Sequence, residues 1–225
     1  AAPSQVYIYK LIGVREVQSV ADLKGKKLGI SSTGGSADVG ARVVLRQAGL
    51  DPAKDVTLLQ VGDVATRQAA LLNGAVQAIM DAPPQSLKVE ADPRFHVLLD
   101  LTAANLPAVN ATVVGRRSWV AANRSTVQKY VDSIVQGAAR VKRDKALSVA
   151  VLQKYAKVDD PQALDAGYEF FSRAITAQPL PRPRDYADTI EQLGQINPKL
   201  RGFEPATIMD DSFVKDALSR GLDKA

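Results

Sequence analysis

The chain has 225 residues, 46 % hydrophobic and 24 % charged, enough apolar material for one large domain or two small ones and too much for a disordered chain. It contains no cysteine, which excludes disulfides, thiolate metal sites and cysteine nucleophiles, and no apolar run of about 18 residues, which excludes a membrane-spanning helix. The formal net charge is +5. The basic residues are scattered and do not interleave with aromatics, however, and the densest cluster, Arg140, Lys142, Arg143 and Lys145, reads as a helix end, where cations suit the dipole. Nucleic acid is therefore not the expected partner.

The opening AAPSQ fits the residues that follow a small-residue cleavage site. Residues 6–14 (VYIYKLIGV) are apolar and β-branched and predict one strand. Ser19 caps a single turn through Leu23, and Gly25 ends it. LGISS (28–32) predicts a buried strand, followed by a helix with Val39, Val43, Val44 and Leu45 inward and a glycine stop in AGLD. The unit repeats. VTLLQV (56–61) is a strand, and the helix after it sets Ala65, Ala69 and Leu72 on one face. AIMDAPP (78–84) is a strand running into a helix with prolines in its first turn, and HVLLDL (96–101) is another strand. Strands and helices alternating through short links predict a parallel, helix-covered sheet, to which further strands are expected. ATVVG (111–115) predicts one more.

From Asn123 onward the pattern is helical. Val127, Tyr130, Val131, Ile134, Val135, Ala138 and Val141 form one apolar stripe, with a capping box at Ser125 and Gln128. Leu147, Val151, Leu152 and Tyr155 form a second. Asp160-Pro161 starts a third helix, carrying Leu164, Tyr168 and Phe171. Tyr186, Ile190 and Leu193 begin another, and Phe213, Ala217 and Leu218 mark the last.

In open parallel sheets ligands bind beyond the carboxyl ends of the strands. Three turns qualify there: 31–36, 62–66 and 81–86. The first is the best ligand wall. Ser31, Ser32, Thr33 and Ser36 offer hydroxyls, and Gly34 and Gly35 let a ligand approach the backbone of a helix start. Capping and anion binding use the same N–H groups, so both readings stay open. Nucleotide readings fail on spacing. Gly40 is followed by Ala41 and Arg42 rather than Lys-Ser/Thr, and Gly34, Gly35 and Gly40 do not make G-x-G-x-x-G. A hydroxyl and amide cradle without lysine suits a carboxylate, sulfonate or similar small oxoanion.

Asp63 reads as a helix N-cap or as an acceptor for a ligand donor. Asp81, before Ala82-Pro83-Pro84, is less easily a cap and reads as an acceptor for a ligand or for a neighbouring lobe. His96 reads as structural, Glu90 and Asp92 lack metal-ligand spacing, and Arg116-Arg117 read as a solvated strand end. No residue set makes a catalytic site, which favours binding over chemistry, with no cofactor and no metal.

The stretch from SVADLKGKKLGI through the small-residue turn, AGLDPAKDV and QVGDVATRQAALLNG to AIMDAPP resembles the solute-binding proteins of ABC importers, in the nitrate/sulfonate/taurine or NMT1/THI5-like group. NRSTVQKYVDSIVQGAARVK and KYAKVDDPQAL are similar to that family too. The resemblance implies an α/β fold of the type 2 periplasmic-binding-protein kind, with a parallel-rich sheet covered by helices and a helical C-terminal tail. It implies a second lobe at 22–103, with 1–21 as a crossing strand and 104–225 as a return strand plus helices of an incomplete first lobe. The implied function is capture of a small organic anion in an interlobe cleft for a membrane permease, in the periplasm or on a Gram-positive surface, by a non-enzymatic and truncated form. Ligand contacts would come from Ser31, Ser32, Thr33, Gly34, Gly35, Ser36, Asp63, Asp81 and Pro83. Apolar surface on the tail helices would favour self-association. Two alternatives use the same architecture. One is a THI5-like pyrimidine synthase, which looks to a histidine and a cysteine-rich motif where this chain has one histidine and no cysteine. The other is the effector module of a transcriptional regulator, for which residues 1–10 hold no helix-turn-helix.

Overall fold

A computed structural model describes residues 1–224. Strands β1 (Ser4–Val6) and β2 (Lys10–Val14) precede β3 (Lys27–Ile30), helix α1 (Ser36–Gln47) and β4 (Thr57–Gln60). Then come α2 (Val64–Leu72), β5 (Ala78–Asp81), the one-turn α3 (Leu87–Glu90), β6 (Phe95–Asp100) and β7 (Pro107–Ala111). The rest is helical: α4 (Arg117–Ala122), α5 (Arg124–Arg143), α6 (Lys145–Ala156), α7 (Pro161–Ala174), α8 (Ala187–Ile196) and α9 (Ser212–Ser219).

Two compact units result. The sheet unit holds Tyr7–Leu106 and Asp188–Arg201; the helical unit holds Ala1–Val6, Pro107–Ala187 and the chain from Gly202 onward. The sheet unit thus runs wider than the expected 22–103: it takes in β2 and nearly all of α8. The apolar run 6–14 is not one strand. Its first part pairs with β7 and its last part with β5 and β6, so the ladder breaks where the partners change.

In the sheet unit five strands lie in the order β4-β3-β5-β2-β6. β3 pairs in parallel with β4 and β5, while β2 runs antiparallel to both β5 and β6. Four strands therefore share one direction and the reversed β2 sits inside, where its Leu11 and Ile12 are fully buried. Its interior position is why β2 lacks polar alternation: both of its faces are covered. On one face Ile12, Ile79, Val76 and Phe95 pack with Leu71 of α2 and Val89 of α3. On the other, α1 comes close. A Cβ on Gly40 would lie 3.1 Å from the Tyr7 ring and 3.4 Å from the Met80 methyl group, so a larger residue there would have to displace the Tyr7 ring by a few tenths of an ångström. Each such fully buried side chain contributes roughly 1.5–3 kcal/mol.

In the helical unit β1 and β7 form a two-stranded sheet, and α5 packs on α9 through Val131, Val135, Phe213, Val214 and Ala217. Asp160 caps α7 by accepting from the Ala163 N–H at 2.7 Å, as its sequence suggests. Other expectations need correction. The strand expected at 111–115 lies at Pro107–Ala111, where β1 supplies the partner. Ser125 is not a cap. α5 starts at Arg124 directly after α4, and Gln128 instead donates to Asp132 and the Phe213 carbonyl. Pro83 and Pro84, joined by a cis peptide bond, lie in the turn before α3 rather than in its first turn. Tyr130, Leu147, Val151 and Tyr155 are exposed, the last at 73 %. With Val141, Phe171 and Ile175, residues Leu147 and Val151 line an apolar groove of about 460 Å³.

Candidate functional site

Because β4, β3 and β5 are parallel neighbours, the three turns after them share one edge of the sheet. The reversed β2 starts at that edge, with Lys10 opposite Asp81 in the ladder, and carries Tyr9 there.

At the first turn the N–H groups divide into two sets. Thr33 donates to Gln60 Oε1 at 3.3 Å, Gly34 to Asp38 Oδ2 at 2.7 Å and Gly35 to the Ser32 carbonyl at 3.0 Å. Gly34 has φ +78°, the left-handed conformation that turns its N–H inward. The N–H groups of Ser36, Ala37 and Asp38 open α1 and have no intrahelical acceptor. Around them stand hydroxyls. Tyr9 Oη and Ser36 Oγ are 2.7 Å apart. Ser31 Oγ and Ser32 Oγ crowd Gly35, where an added Cβ would lie 3.3 Å and 3.0 Å from them. Ser32, Thr33 and Ser36 are exposed and Ser31 is half-buried.

The expected carboxylates behave differently. Asp63 is exposed and caps α2, accepting from the N–H and the hydroxyl of Thr66, each at 2.8 Å. Those bonds hold its carboxyl below the usual carboxylate range. Asp81 is buried, and burial pushes its carboxyl up. Gln68 Nε2 donates to one of its oxygens at 2.7 Å and the Ala82 N–H to the other at 2.9 Å. Pro83 is buried beside it. The structure therefore sets the hydroxyls of Ser31, Ser32, Thr33 and Ser36 at the start of α1 while the amides of Thr33, Gly34 and Gly35 are engaged within the turn, and Asp63 and Asp81 are occupied by their own neighbours.

Four residues belong to this edge that the sequence did not single out. Tyr9 sat inside an apolar run. Gln60 and Gln68 carry no motif. Asp38 is fully buried and pairs with Arg42 Nε at 2.8 Å, and its only signal was the i, i+4 Asp-Arg spacing. Arg67, buried nearby, donates to the carbonyls of Met80 and Gly62 and ties α2 to the strand ends. Among the described residues no cluster of histidine and acidic side chains has the geometry of a metal site.

The family model "NMT1/THI5 like" matches residues 7–146. The chain belongs to the NMT1/THI5-like family. Solved structures share its fold at low identity. The alkanesulfonate-binding protein of Xanthomonas axonopodis pv. citri, bound to MOPS, has a TM-score of 0.67 and 18 % identity, over 96 % of this chain and 72 % of that one. The periplasmic aliphatic sulphonate-binding protein of Escherichia coli has a TM-score of 0.68 and 19 % identity, over 94 % and 70 %. The desulfurization enzyme DSZB has a TM-score of 0.63 and 16 % identity, over 97 % and 78 %. No curated protein sequence matches the chain. In this NMT1/THI5-like chain no helix among the described residues is long and apolar enough to cross a membrane.

Proposed function

We propose that the chain is the solute-binding component of an ABC-type importer and captures a small organic anion, with sulfonates as the first class to test. The observation that carries this reading is the donor surface at the start of α1: hydroxyls of Ser31, Ser32, Thr33, Ser36 and Tyr9 beside the amide of the exposed Ser36, which has no intrahelical acceptor. Three sulfonate oxygens are acceptors without a proton, and a surface of neutral donors matches them. The sulfonate-binding proteins among the structural neighbours support the same class. They also support a periplasmic or cell-surface location and a membrane permease as partner. The chain is read as non-catalytic, with DSZB marking the competing enzyme reading. Apolar exposure at Leu147, Val151 and Tyr155 supports self-association, which sedimentation velocity tests.

Thermal melting of the whole chain with methanesulfonate, taurine, acetate and nitrate tests the function. A ligand that binds only the folded state raises the melting temperature with concentration. The expected result is a rise with at least one of them, reduced in Tyr9→Phe and Ser36→Ala. No rise with any at millimolar concentration overturns the reading. Desulfurization of biphenyl-2-sulfinic acid by the chain would favour the enzyme instead.

A further inference from the structure

We infer that the buried Asp38–Arg42 pair is the positioning device of this anion site, fixing the turn and cancelling a charge that would otherwise repel the solute. The inference rests on the reading of 31–36 as the solute surface.

Asp38 has no exposed surface, yet it stands in the first turn of the helix that would meet the anion. Its two oxygens have separate tasks. Oδ2 accepts the Gly34 N–H at 2.7 Å, which holds Gly34 at φ +78° and turns that amide away from the solute side. Oδ1 accepts Arg42 Nε at 2.8 Å. Arg42 lies one helical turn further on and is only 15 % exposed, so its charge is committed to Asp38 rather than to solvent.

The first task decides which donors face out. With Gly34 held, Thr33, Gly34 and Gly35 spend their amides on Gln60, Asp38 and Ser32, and the exposed Ser36, with its amide and hydroxyl, remains for a ligand. The second task concerns the field. A bare carboxylate in the first turn of a helix would oppose any anion bound at its start, and a buried carboxylate is poorly screened by water. The guanidinium removes it. The turn itself is left with hydroxyls and the Ser36 amide, free of net charge from Asp38.

These two tasks separate by mutation. Asp38→Asn keeps an oxygen for the Gly34 N–H but leaves Arg42 uncompensated. Arg42→Met keeps the turn but leaves Asp38 uncompensated. Asp38→Asn/Arg42→Met keeps the turn and has no charge. Calorimetric titration with methanesulfonate should give weaker binding in Arg42→Met by about tenfold. Binding should be unchanged or tighter in Asp38→Asn and within about threefold of the parent in the double variant. A purely structural pair would instead weaken binding in both single variants in proportion to their lost melting temperature, and that pattern overturns the proposal. The double variant serves where Arg42→Met fails to fold.

A readout without ligand separates this inference from the function it rests on. Amide hydrogen exchange at Gly34 should be slow in the parent and in Asp38→Asn and at least tenfold faster in Asp38→Ala. Fast exchange in the parent overturns the positioning role whether or not methanesulfonate binds. Slow exchange in a parent that binds none of the anions overturns the field role and the functional reading together.

Discussion

Lys10 Nζ lies 2.7 Å from Glu90 Oε2, with the two side chains 14 % and 17 % exposed. This pair fastens the first residue of β2 to α3, at the sheet edge that carries the donor surface. Glu90 also accepts from the Ser86 hydroxyl, so the carboxylate is fully engaged. Lys10→Met leaves that carboxylate in a poorly solvated place and should cost about 3 kcal/mol in chemical denaturation. The neutral double variant Lys10→Met/Glu90→Gln should lose less than that single variant. An equal or larger loss in the double variant would contradict the pairing.

Gly34 and Gly35 should fail differently when replaced by alanine. Gly34 needs positive φ, so Gly34→Ala should cost about 1–2 kcal/mol of stability. Gly35 has an ordinary extended backbone, but an added Cβ would meet Ser32 Oγ at 3.0 Å and the Ser32 carbonyl at 3.1 Å. Gly35→Ala should therefore push the Ser31–Ser32 segment outward and lower anion affinity more than it lowers the melting temperature. Titration and melting of both variants check this.

Acid and mild pH should act through different carboxyls. Hydrogen bonds hold Asp22, Asp55, Asp63, Asp92 and Asp144 below the ordinary aspartate value of 3.8, so the folded chain releases those protons more readily than the unfolded one. Their stabilisation is present above that value and is lost as pH falls through the lowered folded values. Asp81 has the opposite sign. Burial raises it, the folded state holds its proton longer, and its contribution falls as pH rises from 3.8 through its raised value. Stability measured from pH 2 to pH 7 should therefore rise through the acid range, and Asp81→Asn should remove an opposing slope above pH 3.8.

Tyr7 offers an optical test. Its ring is buried against Gly40 of α1, and burial pushes its hydroxyl up to about 12. Burial also raises Tyr186. An absorbance titration near 295 nm at pH 11 should leave Tyr7 un-ionised, and Tyr7→Phe should reduce the late, high-pH part of the curve only. Since an unfolded tyrosine ionises near 10, the folded state loses stability as pH climbs from there toward 12.

Helix positions were readable because their periodicity and caps are local. Asp160-Pro161 announces α7, and Val39, Val43 and Val44 announce the buried face of α1. Strand partnership was not readable. Nothing in SQVYIYKLIGV shows that residues 4–6 pair with β7 while 10–14 pair with β5 and β6. Exposure of the α6 stripe was hidden for the same reason: Leu147, Val151 and Tyr155 have the spacing of a buried face whether or not anything covers them. At the site, the hydroxyl-rich turn was visible as composition. Its organisation was not, because Tyr9 and Gln60, each 27 residues from its partner, meet the turn only through the third dimension.

The chain passes from one unit to the other four times: after Val6, Leu106, Ala187 and Arg201. Neither unit is a continuous stretch of polypeptide. During synthesis the five strands are all made before α8, which belongs with them, and the helical unit waits for α9 to cover Val131 and Val135. A single protease cut at any one crossing would leave three covalent tethers and free neither half. Expressing the sheet unit alone would require splicing Leu106 to Asp188 through a new linker.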